Sequence, residues 1–274
     1  MKKLALAFIG LIAFGTISCY AEKIKGNGNI ITKEIQVADY TGLIVGQGIE
    51  SNGSFFAGKN KSPQINYSQQ TGKAGLKITI DENLLPLIKF NTEGGILKIE
   101  TQRGTRINPS RLVIDTHSAE LKKLGVSSSF DFILESSLSG DNIEINASGA
   151  SDVYLEKPMR IANLCKINLS GASDLKTSDL ECHRIETHSS GSSDLYLNGK
   201  ANEGKYNCSG SSDIKAYGFT LKTLECSASG SSDILTTVTE SLNASASGSS
   251  DIKYKGNPKV KKHSSGSSDI DPVN

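Results

Sequence analysis

The chain has 274 residues, 22% charged and 6% aromatic, with 27 glycines and no tryptophan, which is long enough for a real core and too varied to be disordered. Its formal charge is +1, so electrostatics supply no case for nucleic acid or an anionic membrane. So few aromatic rings also disfavour base stacking as a binding device.

The first element is an export signal over residues 1–21. Lys2 and Lys3 precede an apolar run from Leu4 to Ile17, and Cys19-Tyr20-Ala21 places small residues before a cut that leaves Glu22 first. Removing Lys2 and Lys3 from the 30 basic residues leaves 28 against 29 acidic ones, a net of −1. A second reading takes Thr16-Ile17-Ser18-Cys19 as a lipidation string and anchors the product by a lipid at Cys19. Either way the product is exported, periplasmic or on the cell surface. No other stretch approaches the ~20 apolar residues that span a bilayer.

Residues 22–120 are predicted to be β-structure. Alternation marks strands at Ile30 to Val37, Gln64 to Tyr67, Leu76 to Ile80, Ile96 to Thr101 and Arg111 to Asp115, divided by Gly- and Asn-rich turns. No helix of useful length is expected.

Residues 121–274 are built on a repeat. The phrase Ser-Gly-(Ala/Ser)-Ser-Asp occurs seven times, with glycines at 149, 171, 191, 210, 230, 248 and 266, in steps of 22, 20, 19, 20, 18 and 18 residues. A degenerate copy, Ser127-Ser128-Ser129-Phe130-Asp131, precedes them. Periods near 20 residues mark solenoids. Counting the first serine of the phrase as zero, positions −5, −3 and −1 hold residues such as Ile143, Ile145 and Ala147, and positions +5 and +7 hold Val153 and Leu155. Alternate apolar positions have the period of a strand. Each unit therefore reads as strand, tight turn, strand. An antiparallel meander would prefer Asn-Gly or Asp-Gly hairpins, which the phrase lacks. The prediction is a parallel β-solenoid, with Pro158, Gly199, Gly218 and Gly256 absorbing the variable step at the rear. The N-terminal region is expected to pack on the solenoid and cap its open end.

The row of phrase aspartates is the sharpest candidate site: Asp152, Asp174, Asp194, Asp213, Asp233, Asp251 and Asp269. Stacking sets them about 4.8 Å apart, and bare carboxylates so close raise one another's pKa. A structural account has each accept hydrogen bonds from turn N–H groups or serine hydroxyls. A functional account makes them a weak cation-binding edge. A uniform row lacks the asymmetry that gives one carboxyl the role of acid and another that of base. No catalytic residue, metal site or cofactor is assigned. His188 and His263 both lie at −2, four coils apart, too far to share a metal. The four cysteines after Ala21 invite disulfides. However, Cys208 at −1 and Cys226 at −3 are offset by two residues and one coil, beyond disulfide reach. Cys165, Cys208 and Cys226 are expected to be buried free thiols, with Cys182 at the rear of its coil.

The phrase, with Gly42-Leu43-Ile44-Val45-Gly46, Asn83-Leu84-Leu85-Pro86 and Gly94-Gly95-Ile96-Leu97-Lys98-Ile99, resembles the head GIN domain family of auto-transporter adhesins from about Tyr40 to the C-terminus. That family's phrase is Ser-Gly-Ser-Gly-Asp. Here serine replaces the second glycine at Ser151, Ser173, Ser193, Ser212, Ser232, Ser250 and Ser268, positions that then should not need positive φ. The resemblance implies an all-β parallel β-helix of pectin-lyase-like shape, no known catalytic residues and a role in adhesion. The expected product is a non-catalytic surface binding module for a glycan or protein. The alternative is a carbohydrate-active enzyme, a polysaccharide lyase or hydrolase.

Overall fold

The computed structural model describes residues 22–50 and 62–273; the export-signal reading of residues 1–21 and Cys19 lies outside them. Among the described residues the chain is all-β, a solenoid of about eight turns, and the longest helical segment is the single 3-10 turn Leu85–Leu87. Among the described residues no helix is long and apolar enough to cross a membrane.

Successive coils pair in parallel with like residues opposite like. Asp131, Asp152 and Asp174 are register partners, as are Asp194, Asp213 and Asp233. Three paired runs make up a coil. In one they are Asp152–Leu155, Met159 to Ile161 and Leu164 to Leu169, with a register break between the second and third. The sequence expectation that glycines break the rear of the coil needs refinement. Asp194–Gly210 and Asp213–Gly230 run as single strands through Gly199 and Gly218. The variable step appears instead as register shifts between Ala216 and Thr220 and between Leu221 and Thr223.

Alternation places the apolar side chains inside. Ile143, Ile145, Ala147, Val153 and Leu155 are all at most 2% exposed, as the −5, −3, −1, +5 and +7 positions predict. Leu124, Val126, Phe132 and Leu134 do the same in the degenerate coil.

The stack continues into the N-terminal region. Gly42–Val45 and Gln64–Gln69 pair in parallel with Lys123–Val126 and Asp131–Leu134, and with Ile96–Thr101 and Leu112–Ser118 on their other side. Beyond these the direction reverses. Ile88–Glu93 lies antiparallel to Ile96–Thr101, and Gly75–Asp81 antiparallel to both Leu112–Ser118 and Ile30–Ile35. The five strands read from the sequence here are present. Four more, Glu22–Lys25, Gly42–Val45, Ile88–Glu93 and Thr105–Asn108, join them. Asp81 fastens the entry segment: fully buried, it accepts from the Gly28 and Ser110 N–H groups and the Ser110 hydroxyl. These bonds outweigh burial and hold its carboxyl below the usual range.

Candidate functional site

The phrase turn is a hydrogen-bonded stack. Its glycine is left-handed in all seven copies, for example φ +83° at Gly191. The Gly171 carbonyl accepts the Ser192 N–H at 2.7 Å, and the Gly210 carbonyl accepts that of Ser231 at 2.8 Å. The serines before the aspartate, Ser151 to Ser268, have no positive φ, as the replacement of glycine by serine requires. Those serines point inward, and six of the seven are 0% exposed. Each hydroxyl donates to the carbonyl three residues back, at 2.7 to 3.1 Å. In the degenerate coil Ser128 takes the left-handed position with φ +70° and Phe130 replaces the inward serine.

The structure sets the aspartates in one row along this turn edge. The side chains of Asp174, Asp213, Asp233 and Asp251 accept the backbone N–H of the next coil's aspartate at 3.0 to 3.3 Å. Two residues on, the pairing register lines up a second outward row: Ile133, Tyr154, Lys176, Tyr196, Lys215, Leu235 and Lys253. Three of its members bond to the first. Tyr154 donates to Asp152 at 3.3 Å, Tyr196 to Asp194 at 3.0 Å, and Lys215 to Asp194 at 2.6 Å. Sequence reasoning missed this row, although its Tyr and Lys stand at position +6 of the repeat.

Compensation is weakest at the first end. Burial, and then the Asp152 charge, push Asp131 up to about 6. Burial and the Asp174 charge raise Asp152. Burial and the carboxylates of Asp152 and Asp131 push the Tyr154 phenol up to about 12.

Among the concavities beside the coils, two stand out in volume. A polar hollow of about 720 Å³ lies against the N-terminal sheet, with Glu34, Asn66, Asp115, His117 and Glu135 on its walls. There Asp115 is already bonded to Asn66 at 2.8 Å and to Lys77 at 3.3 Å. The second is a groove of about 680 Å³ at the bend between the second and third runs. Its bend residues are Ala162, His183, Asn202, Lys222 and Thr239, one from each of five successive coils. His183 ring Nδ1 lies 3.0 Å from the Asn202 amide nitrogen.

The remaining candidates disperse. His188 pairs in register with Asn168, and His263 with Ser245, both on the outside. Among the described residues no group of three His, Cys, Asp or Glu is placed to hold a metal. Cys208 faces Ala228, and Cys226 faces Tyr206. All four described cysteines are free, with Cys165, Cys208 and Cys226 buried and Cys182 half-buried. Burial raises all four thiols above their ordinary range.

A family model described as "Putative auto-transporter adhesin, head GIN domain" matches residues 60–258. A search of the curated proteins finds no match. Among solved structures, one described as a putative adhesin from Parabacteroides merdae ATCC 43184 is 26% identical with a TM-score of 0.81, over 93% of this chain and 100% of that one. A putative adhesin from Parabacteroides distasonis ATCC 8503 is 28% identical with a TM-score of 0.80, over 92% and 100%. A protein of the same organism described as a putative lipid binding protein is 28% identical with a TM-score of 0.81, over 92% and 100%.

Proposed function

The chain belongs to the head GIN domain family of auto-transporter adhesins, and from that premise we propose that it is an exported, non-catalytic module that binds a glycan or protein at the cell surface. The observation that carries this reading is the state of the aspartate row. Six of its seven carboxylates accept from the next coil's N–H groups or from Tyr154, Tyr196 and Lys215. Side chains so engaged build a scaffold, and they leave no unlike acid and base facing a cleft. We assign Asp152, Asp174, Asp194, Asp213, Asp233, Asp251 and Asp269 this structural role. Residues 22–120 are assigned the cap, because their antiparallel strands cover an edge that would otherwise pair with another chain.

The test is a binding screen of the mature chain on glycan and matrix-protein arrays, run alongside a polysaccharide depolymerisation assay. Saturable binding with no new chain ends is expected. Release of unsaturated or reducing ends would make the chain a lyase or hydrolase and overturn the reading.

A further inference from the structure

We propose that the groove at the bend of the coils is the ligand site and that its ligand is a linear acidic polysaccharide lying along the solenoid axis. This rests on the surface-binding reading and names the ligand class for it.

Shape is the first argument. The groove takes one bend residue from each of five coils, Ala162, His183, Asn202, Lys222 and Thr239, so it extends about 19 Å at the coil spacing. Its volume of about 680 Å³ falls in the range of small-ligand sites. A groove that repeats the same bend at each coil suits a ligand that also repeats along its length.

Charge is the second. One wall is the outward row of the second run, Arg160, Glu181, Lys200 and Thr220. Arg160, Lys200 and Lys222 stand against the one carboxylate of Glu181. Glu181 already holds Lys200 at 3.2 Å, and Arg160 is held by Asp179 at 2.6 Å. Lys222 is exposed and makes no ion pair or hydrogen bond among the described residues. The site therefore offers an uncommitted ammonium on its fourth coil, beside the middle residue Asn202, with further cations on the flank. The polar hollow has the opposite balance, Glu34, Asp115 and Glu135 against Lys77.

The lining decides the chemical class. Amide, hydroxyl and imidazole groups from Asn202, Thr220, Thr239 and His183 suit sugar hydroxyls, and the lysines suit sugar carboxylates. No aromatic side chain lines the groove, which disfavours single-stranded nucleic acid. Its apolar atoms come from Ala162, Ala201, Cys182 and Ile161 with the stems of Arg160, Lys200 and Lys222, an open strip that would leave one side of an acyl chain in water.

The probe is an oligogalacturonate hexamer, with cellohexaose as the neutral control, titrated calorimetrically into the mature chain at low and physiological salt. Binding of the acidic hexamer alone, weakened by salt, is expected. Lys200→Glu/Lys222→Glu should weaken it at least tenfold, while Lys33→Glu/Lys89→Glu, with the same change of net charge far from the groove, leaves it within twofold. Ala162→Trp blocks one end of the groove without altering charge and should also weaken binding severalfold. Melting curves check that each variant is folded. Hexamer binding that ignores Ala162→Trp and the groove lysines overturns the site. Binding of only neutral glycans or matrix proteins, insensitive to both groove variants, overturns the inference and leaves the surface-binding reading standing. If the arrays and the hexamer both give nothing, both readings fall.

Discussion

The first hundred residues and the repeat coils solve the same packing problem by different means. In the first region large side chains fill the interior: Tyr40 and Tyr67 are buried, and the Tyr67 ring stacks 6.2 Å from that of Phe132 in the adjoining degenerate coil. Strand direction changes freely there. In the coils much of the inside is small, with Ala147, Ala228, Ala244, Ala246 and the phrase serines. Their shape is held by a turn whose hydrogen bonds run from coil to coil. A bulky core tolerates irregular chain paths, whereas a stacked turn demands the same backbone in every layer.

Glycine substitution gives the largest expected difference between the two regions. Gly94 and Gly191 both have positive φ, +58° and +83°. A Cβ on Gly94 meets nothing within 4 Å, but on Gly191 it lies 2.5 Å from the Gly171 carbonyl oxygen. Gly94→Ala should cost about 1 kcal/mol, the left-handed penalty alone. Gly191→Ala should cost about 3 kcal/mol or more, because the coil step must open as well. Urea midpoints compared at constant slope measure both. Equal losses would mean that coil stacking does not constrain the turn.

The repeat was legible because its register repeats: Ile143, Ile145 and Ala147 sit inside at the same offsets as Leu242, Ala244 and Ala246. The inward phrase serines were not. A hydroxyl in a turn reads as surface, and only the turn's path shows it directed inward onto the carbonyl three residues back. Nor was the groove legible, since Ala162, His183, Asn202, Lys222 and Thr239 share no residue type. They become neighbours only through the register shifts that absorb unequal coil lengths. Gly42–Val45 and Ile88–Glu93 gain their strand character from partners distant in sequence, which local alternation cannot reveal.

The two ends of the stack differ too. The N-terminal end turns antiparallel, but at the C-terminal end Lys259–Gly266 pairs on one side only among the described residues. Lys262 occupies the inward −3 position held by Ala244 one coil earlier. It reaches across to donate to the Ile270 carbonyl at 2.9 Å. An inward charge at an open edge discourages another chain from adding to it. Lys262→Leu should therefore give concentration-dependent dimers or longer species by light scattering, while outward Lys261→Leu stays at the wild-type mass. A monomeric Lys262→Leu protein would show that other features close this end.

Charge compensation along the aspartate row sets a further contrast. Asp194 has Tyr196 and Lys215, while Asp131 sits half-buried beside Asp152 with its pKa raised to about 6. A carboxyl whose folded pKa is raised stabilises fully only below its unfolded pKa, and that contribution is lost as pH rises through about 6. Asp131→Asn should thus stabilise the protein at pH 7 by about 1 kcal/mol, after discounting for exposure, and lose this advantage by about pH 4. Melting temperatures of both proteins across that range decide it. An advantage independent of pH would point to a lost contact in place of a titration.

The smallest effect concerns the middle of the stack, where one aromatic side chain interrupts the −3 row. Tyr206 is fully buried in the −3 row between Thr187 and Cys226. Its hydroxyl has no hydrogen-bond partner, and neither do the Thr187 and Ser189 hydroxyls beside it. Burial, with the neighbouring thiols Cys182, Cys226 and Cys165, raises the phenol far above its ordinary range. In the N-terminal core the equivalent groups are paired, Tyr40 with Thr116 at 2.7 Å and Tyr67 with Ser118 at 2.9 Å. Removing a satisfied hydroxyl loses a bond, whereas removing an unsatisfied one relieves a desolvation penalty. Tyr40→Phe should therefore cost about 1 kcal/mol and Tyr206→Phe should be neutral or stabilising by up to about 1 kcal/mol. A Tyr206→Phe protein that loses as much stability as Tyr40→Phe would mean that the phenol is paired, with an ordered water shared by Thr187 and Ser189 as the simplest partner.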